Sequence, residues 1–167
     1  MKTLIISVSL FLALAVFSGI SPNDKTSPGM DKLKHLVGAW KGTDGSGKPV
    51  TVSYQLVSKG TSLMETLGMG DEKDVMITMY HLDKNNVMMT HYCSMGNQPR
   101  MRLSIDSKDP NRMVFNYLDA TNLKSKNDPH MNKLIVSVKD IDHFTEEWFF
   151  LENGKETSDV FSFERVK

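Results

Sequence analysis

The chain has 167 residues, and its 20 Lys and Arg residues are balanced by 20 Asp and Glu residues. This length fits one domain, and a neutral balance provides no electrostatic footprint for nucleic acid or for an anionic membrane surface. A hydrophobic content of 40% is enough for a packed core and excludes global disorder.

The first 18 residues have the three-part layout of a secretory signal peptide. A positive start at Met1-Lys2 is followed by an almost wholly apolar run over 3–17 and by small residues at Ser18-Gly19. We expect cleavage after Ser18 and a periplasmic or secreted protein. The alternative is an uncleaved anchor, which the run disfavours because a membrane-spanning helix needs ~20 apolar residues. Residues 19–30 are polar and contain Pro and Gly, which predicts a flexible lead-in to a domain over 31–167.

The domain begins with one predicted helical turn over 31–37, after which the helical period ends. Short β-rich runs then alternate with turn residues such as Gly, Asn and Pro. The runs predict ten strands, over 37–42, 49–57, 62–69, 74–82, 87–94, 100–107, 112–118, 133–139, 143–151 and 156–165.

Closely spaced strands joined by tight turns favour sequential antiparallel neighbours. The predicted fold is therefore all-β: an up-and-down antiparallel β-barrel of about ten strands with a short N-terminal helical turn. A barrel of this size can hold one small ligand. One connection, over 119–131, is long, polar and without a period, and it is either a lid or a plain surface loop.

The most unusual segment is the run 88–95, which is rich in sulfur and imidazole groups. If it is a strand, Met89, His91 and Cys93 share one face because side chains alternate. A three-residue turn at 84–86 would bring the preceding strand into a register that adds further groups to this face. The added residues are Met79, opposite His91, and His81, opposite Met89.

Three interpretations of this patch remain open. In the first, the patch is the wall of a ligand pocket, since Met adapts to varied apolar ligands and His and Cys provide polar groups. In the second, it is ordinary core with a hydrogen-bonded His and an inert Cys. In the third, it is a soft-metal or haem-iron site, which would need a ligand such as His81 from the neighbouring strand because alternate strand residues are ~6.8 Å apart.

Further residues complete the predicted ligand-binding set. Met101 and Trp148 are apolar candidates, and Arg102 would meet a ligand carboxylate or phosphate if it pointed inward rather than to solvent. Glu146 and Glu147 are successive and point to opposite faces, so they form no acid–base pair, although one of them is expected inside the barrel as a lone acid.

Gly38-Ala39-Trp40 in the first strand and Arg165 in the last resemble the Gly-x-Trp opening and closing basic residue of the calycin superfamily, the lipocalins and their relatives. The resemblance implies that Arg165 packs over Trp40 at the closed end of the barrel. A guanidinium on an indole face is also favourable in its own right.

The stretches 90–93 and 96–101 are similar to those of exported bacterial proteins with a lipocalin-like domain of uncharacterised function, and the likeness covers 33–167. It implies a fold more firmly than a function. Nitrobindin-like barrels are similar only in outline. Their haem ligand is a His near the chain end, and this chain has no His after His143, so haem binding is not carried over.

The sequence contains no Gly-x-Ser-x-Gly elbow, phosphate-cradling loop or His-Glu-x-x-His motif, so no catalytic residue is predicted and an enzyme is disfavoured. The leading hypothesis is an exported protein that holds an apolar or amphipathic small molecule inside the barrel. The alternatives are a haem- or copper-binding barrel using His91, His81 and Cys93, and a ligand-free barrel that acts through surface contacts. No nucleic-acid partner and no membrane span in the mature form are expected, and the oligomeric state stays open.

Overall fold

The computed structural model of the protein describes residues 27–70, 75–105, 108–125 and 127–167. The predicted signal peptide and its cleavage point lie outside these residues, as does most of the predicted lead-in.

The described chain opens with a short helix, α1 (Pro28–Lys34), and also contains one 3-10 turn, Ser58–Gly60. The helix begins at Pro28, inside the predicted lead-in, because proline favours the first helical turn. Its buried face, Gly29, Met30 and Leu33, packs against one end of the barrel. Gly29 permits this approach, since a Cβ there would lie 2.3 Å from Cδ2 of Leu103.

Ten strands follow, and each pairs antiparallel with its sequence neighbours, while the first pairs with the last to close a barrel. The predicted fold class is confirmed. The strands are β1 (Gly38–Thr43), β2 (Pro49–Val57), β3 (Ser62–Gly68), β4 (Val75–Asp83), β5 (Asn86–Tyr92), β6 (Gln98–Ile105), β7 (Arg112–Thr121), β8 (His130–Val138), β9 (His143–Glu152) and β10 (Lys155–Arg165).

Alternation along each strand separates the barrel interior from the outer face. In β3, for example, Leu63, Glu65 and Leu67 are buried and the residues between them are half-buried. The inward side chains of all strands form one core that also includes Met30 and Leu33 of α1. The helix therefore covers one end of the barrel. The carboxyl ends of β3, β5 and β7 lie at the opposite end, here called the mouth.

Trp40 and Arg165 close the helix-covered end, as expected. They are direct partners in the β1–β10 ladder, and the Arg165 guanidinium carbon lies 3.9 Å from the centre of the indole ring. Arg165 also donates to the backbone carbonyls of Ile141, Val37 and His35, each at 3.0 Å. The Trp40 indole N–H donates to the Leu36 carbonyl at 2.8 Å. These bonds tie both chain ends of the barrel together.

The register predicted between β4 and β5 is wrong by one residue. The connection has two central residues, Lys84 and Asn85, because Asp83 pairs with Asn86. As a result Thr78 lies opposite His91, and Tyr80 lies opposite Met89. A shift of one residue moves a whole strand face from the interior to the surface.

Candidate functional site

The mouth half of the barrel contains most of the predicted ligand-binding residues. Met89, His91 and Cys93 on β5 and in the following loop are buried, as are Met101 on β6 and Trp148 on β9. Met89, His91, Met101 and Trp148 occupy inward positions of their strands, and Cys93 directly follows β5. Their proposed part in ligand binding stays a prediction.

Three other predicted residues do not reach this region. The one-residue register difference places Met79 and His81 on the outer face of β4, where Met79 pairs with Thr90 and His81 with Met88. Arg102 is exposed because it alternates with the buried Met101. The expectation that Met79, His81 and Arg102 line an interior pocket is therefore wrong.

His91 has an unusual environment for a polar side chain. Its residue exposure is 1%, its imidazole stacks on Trp148 with ring centroids 4.6 Å apart, and its Nδ1 lies 3.0 Å from the Thr78 hydroxyl oxygen. The other ring nitrogen, Nε2, is buried and has no hydrogen-bond partner among the described residues. Burial lowers the pKa of His91 to about 4, so the ring is neutral at physiological pH.

A small void of about 20 Å³ adjoins His91. It is lined by Leu67, Met76, His91, Met131, Trp148 and Phe161. The exposed surface of this lining is apolar, and the rings of His91 and Trp148 form part of it. The buried inward side chains pack into one core around the void, and a void of this size holds no organic ligand without movement of its walls. Met76 and Met131 are flexible thioethers, the side chains best able to move.

Deeper in the barrel, two carboxyls and two phenols form a buried polar cluster. The Tyr80 hydroxyl donates to Glu65 Oε2 at 2.5 Å, and the Tyr54 hydroxyl donates to Glu146 Oε1. The Trp148 indole N–H donates to Glu146 Oε2 at 3.0 Å, which joins this cluster to the ring that stacks on His91. The expectation that one of Glu146 and Glu147 lies inside the barrel is confirmed for Glu146, but Glu146 is not a lone acid, because Glu65 is buried as well.

The four titratable groups of this cluster have raised pKa values. Burial raises the pKa of Glu65 well above its ordinary value, and the charge of Glu146 raises it further, against hydrogen bonds from Tyr80, Tyr54 and Thr78. Burial also raises the pKa of Glu146, but donation from Tyr54 and Trp148 opposes the rise. We therefore infer that Glu65 holds its proton more tightly than Glu146 does. Burial and the nearby carboxylates raise the pKa of both tyrosines well above the ordinary value.

Sequence reasoning missed Glu65, Tyr54, Tyr80 and Thr78. Strand parity contained the signal for Glu65, which alternates with Leu63 and Leu67 on one face of β3. The signal for Thr78 and Tyr80 was hidden, because both faces of β4 carry apolar residues and only the correct turn length tells them apart.

The position of His81 does not fit the predicted metal site. Its outward position separates it from His91 and Cys93, so the predicted ligand set does not converge. Across 27–70, 75–105, 108–125 and 127–167 no group of three His, Cys, Asp or Glu side chains is placed to hold a metal ion. Among the same residues no helix is long and apolar enough to cross a membrane.

A comparison with protein-family models finds no match, and none of the curated proteins compared with the chain is similar to it. The closed ten-strand barrel is consistent with a lipocalin-like fold. Membership of the calycin superfamily remains a resemblance carried by Gly38, Trp40 and Arg165.

Proposed function

We propose that the protein binds a small, mainly apolar molecule at the mouth of the barrel, with a hydroxyl group of the ligand bonded to His91. The observation that carries the proposal is the unpartnered, fully buried Nε2 of His91, whose ring borders a small apolar void. A buried polar atom without a partner costs free energy, and a ligand that satisfies it recovers that cost.

A hydroxyl suits this nitrogen because it both donates and accepts. The Thr78 hydroxyl can donate to Nδ1 or accept from it, which is compatible with either tautomer of His91. A ligand hydroxyl pairs with Nε2 in both cases, whether that atom carries a proton or a lone pair. The neutral ring fits an uncharged ligand, since burial keeps the pKa of His91 near 4. Met76 and Met131 would move aside to admit the apolar part of the molecule.

Benzyl alcohol and toluene form a matched probe pair, since they differ by one hydroxyl. We expect both to shift the methyl NMR signals of Met76 and Met131. One neutral hydrogen bond corresponds to about fivefold in affinity. Replacement of His91 by Leu should therefore lower the preference for benzyl alcohol over toluene by about fivefold. The control His81→Leu removes an imidazole from the outer face and should leave the preference unchanged.

A second candidate, the ligand-free interaction barrel, is favoured by one specific observation: the void beside His91 measures only about 20 Å³, and the buried side chains around it pack into one core. If neither probe shifts the Met76 and Met131 methyls up to its solubility limit, the ligand-binding proposal is rejected in favour of this candidate. Binding with the same preference in His91→Leu would also reject the role of His91.

A further inference from the structure

A separate groove opens on the barrel wall where β7 and β8 part. Their ladder covers only Arg112–Asn116 against Ser137–Lys133. Beyond it, β7 continues beside β6 to Thr121, and β8 begins beside β9 at His130. The ends of both strands therefore face the gap without pairing to each other.

Each strand carries an irregularity at this point. In the β6–β7 ladder Asp119 pairs with Arg100 and Tyr117 with Met101, which leaves Leu118 as an extra residue. In the β8–β9 ladder Met131 and Lys133 pair with successive residues, which leaves Asn132 as an extra residue. Bulges of this kind redirect side chains and end pairing, and they are common beside functional sites.

The resulting groove has a volume of about 520 Å³, within the range of small-molecule sites. Tyr117 and His130 lie together in it, with ring centroids 4.8 Å apart and an interplanar angle of 39°. Aliphatic side chains surround this aromatic pair. The complete lining is Tyr117, Leu118, Asp119, Ala120, Leu123, Ser125, His130, Asn132 and Leu151.

Asn132 provides an unused acceptor in this lining. Its amide nitrogen donates to Glu156 Oε2 at 2.7 Å, which fixes the amide orientation. Its Oδ1 is buried and has no hydrogen-bond partner among the described residues. The nearby Asp119 carboxylate is already held by Arg100, whose Nε and Nη2 lie 2.6 Å and 2.5 Å from its two oxygens. His130 Nδ1 lies 2.7 Å from the Asp128 carbonyl oxygen, which orients the ring.

We propose that this groove is a second binding site, for a neutral, planar aromatic molecule that carries an N–H or O–H donor. The half-buried ring of Tyr117, which packs against the buried ring of His130, favours a flat partner through stacking and edge contacts. The buried Oδ1 atom of Asn132 accepts from a donor on that partner once neighbouring side chains of the groove move to expose it. The groove opens at the mouth end of β7 and β8 but shares no side chain with the lining of the void beside His91, so it stands independently of the proposed function.

Indole and 1-methylindole test this site, because only indole carries an N–H. We expect indole to perturb the backbone amide signals of Ala120, Leu123 and His130, and 1-methylindole to bind about fivefold more weakly. Asn132→Leu should abolish that difference, whereas Asn116→Leu, at an exposed position of β7, should preserve it. The variant His91→Leu should leave indole binding at the groove unchanged.

Absence of perturbation at Ala120, Leu123 and His130 up to the solubility limit of indole would overturn the proposal. So would equal affinities of the wild-type protein for the two indoles, a result that does not depend on how any variant folds. Perturbations confined to the surroundings of His91 would also overturn it and would assign indole to the mouth. Failure of the mouth site is detected separately, by benzyl alcohol at the Met76 and Met131 methyls.

Discussion

The imidazole of His91 lies against the indole of Trp148, with ring centroids 4.6 Å apart and an interplanar angle of 42°. Trp148 in turn donates its N–H to Glu146, so the mouth of the barrel and the buried acidic cluster share one side chain. A change in the protonation or in the hydrogen-bond partner of His91 therefore affects Trp148, which is bonded to the acidic cluster in the centre of the barrel.

We expect His91 to make stability depend on acid pH. The folded pKa is lowered to about 4 from 6.5, so the contribution is fully present above about pH 6.5 and is lost as the pH falls towards 4. The shift corresponds to about 3 kcal/mol of unfolding free energy as an order of magnitude. Urea unfolding at pH 7 and pH 4 should show a smaller loss in His91→Leu than in the wild type. An equal loss in both proteins would contradict the assignment.

Glu65 should act in the opposite direction. Its raised pKa means that its contribution is fully present below the ordinary value of 4.5 and is lost as the pH rises through the folded value. Glu65→Gln mimics the protonated acid. The urea midpoint of this variant should therefore rise relative to that of the wild type between pH 5 and pH 9. The control is Glu147→Gln, which changes a half-buried glutamate next to Glu146 on β9 and should follow the wild type. A parallel decline of Glu65→Gln and wild type would show that Glu65 is ionised in the fold.

Arg165 should be among the most important polar residues for stability. Its guanidinium bonds to three backbone carbonyls and lies over Trp40. We expect Arg165→Ala to cost about 2–4 kcal/mol of unfolding free energy, measured by urea denaturation. The control is Arg100→Ala, which breaks a solvent-exposed ion pair with Asp119 and should cost much less than Arg165→Ala, because water screens such a pair. Similar losses in the two variants would disprove a special role for the closed end.

The β4–β5 turn should be improved by glycine. Lys84 adopts a φ of 56°, a left-handed conformation that disfavours residues with a Cβ. We expect Lys84→Gly to raise the unfolding free energy by about 0.5–1 kcal/mol. Lys155→Gly, an exposed strand position, should lower it. A loss of stability in Lys84→Gly would argue against this turn conformation and the register that depends on it.

Most of the barrel was predictable because two independent features of the sequence locate the strands: the alternation of apolar and polar residues, and the turn residues between the runs. Gly38, Trp40 and Arg165 located the closed end from residue type alone, and the structure confirms their contact. The pocket lining was harder. Asp83-Lys84-Asn85-Asn86 accommodates a turn of two or three residues, and this single difference exchanged Met79 and His81 for Thr78 and Tyr80 in the interior.

The acidic cluster and the groove lay beyond sequence reasoning for a different reason. Glu65 and Glu146 are on β3 and β9, which are not neighbours in the sheet, so no local pattern links them. Asn132 and Leu118 look like ordinary strand residues until the ladders on either side show that each is extra. Strand β7 reaches Thr121 and β8 starts at His130, so the long connection predicted over 119–131 is shorter than expected.

The most direct measurement of the central claim is the side-chain ¹⁵N NMR spectrum of His91 during titration with benzyl alcohol. The account predicts that the Nε2 resonance shifts as the probe saturates the site, because this atom gains its missing hydrogen-bond partner. Toluene should move the Met76 and Met131 methyl signals with a much smaller change at Nε2. An Nε2 resonance that stays fixed while benzyl alcohol saturates the methionine signals would contradict the claim.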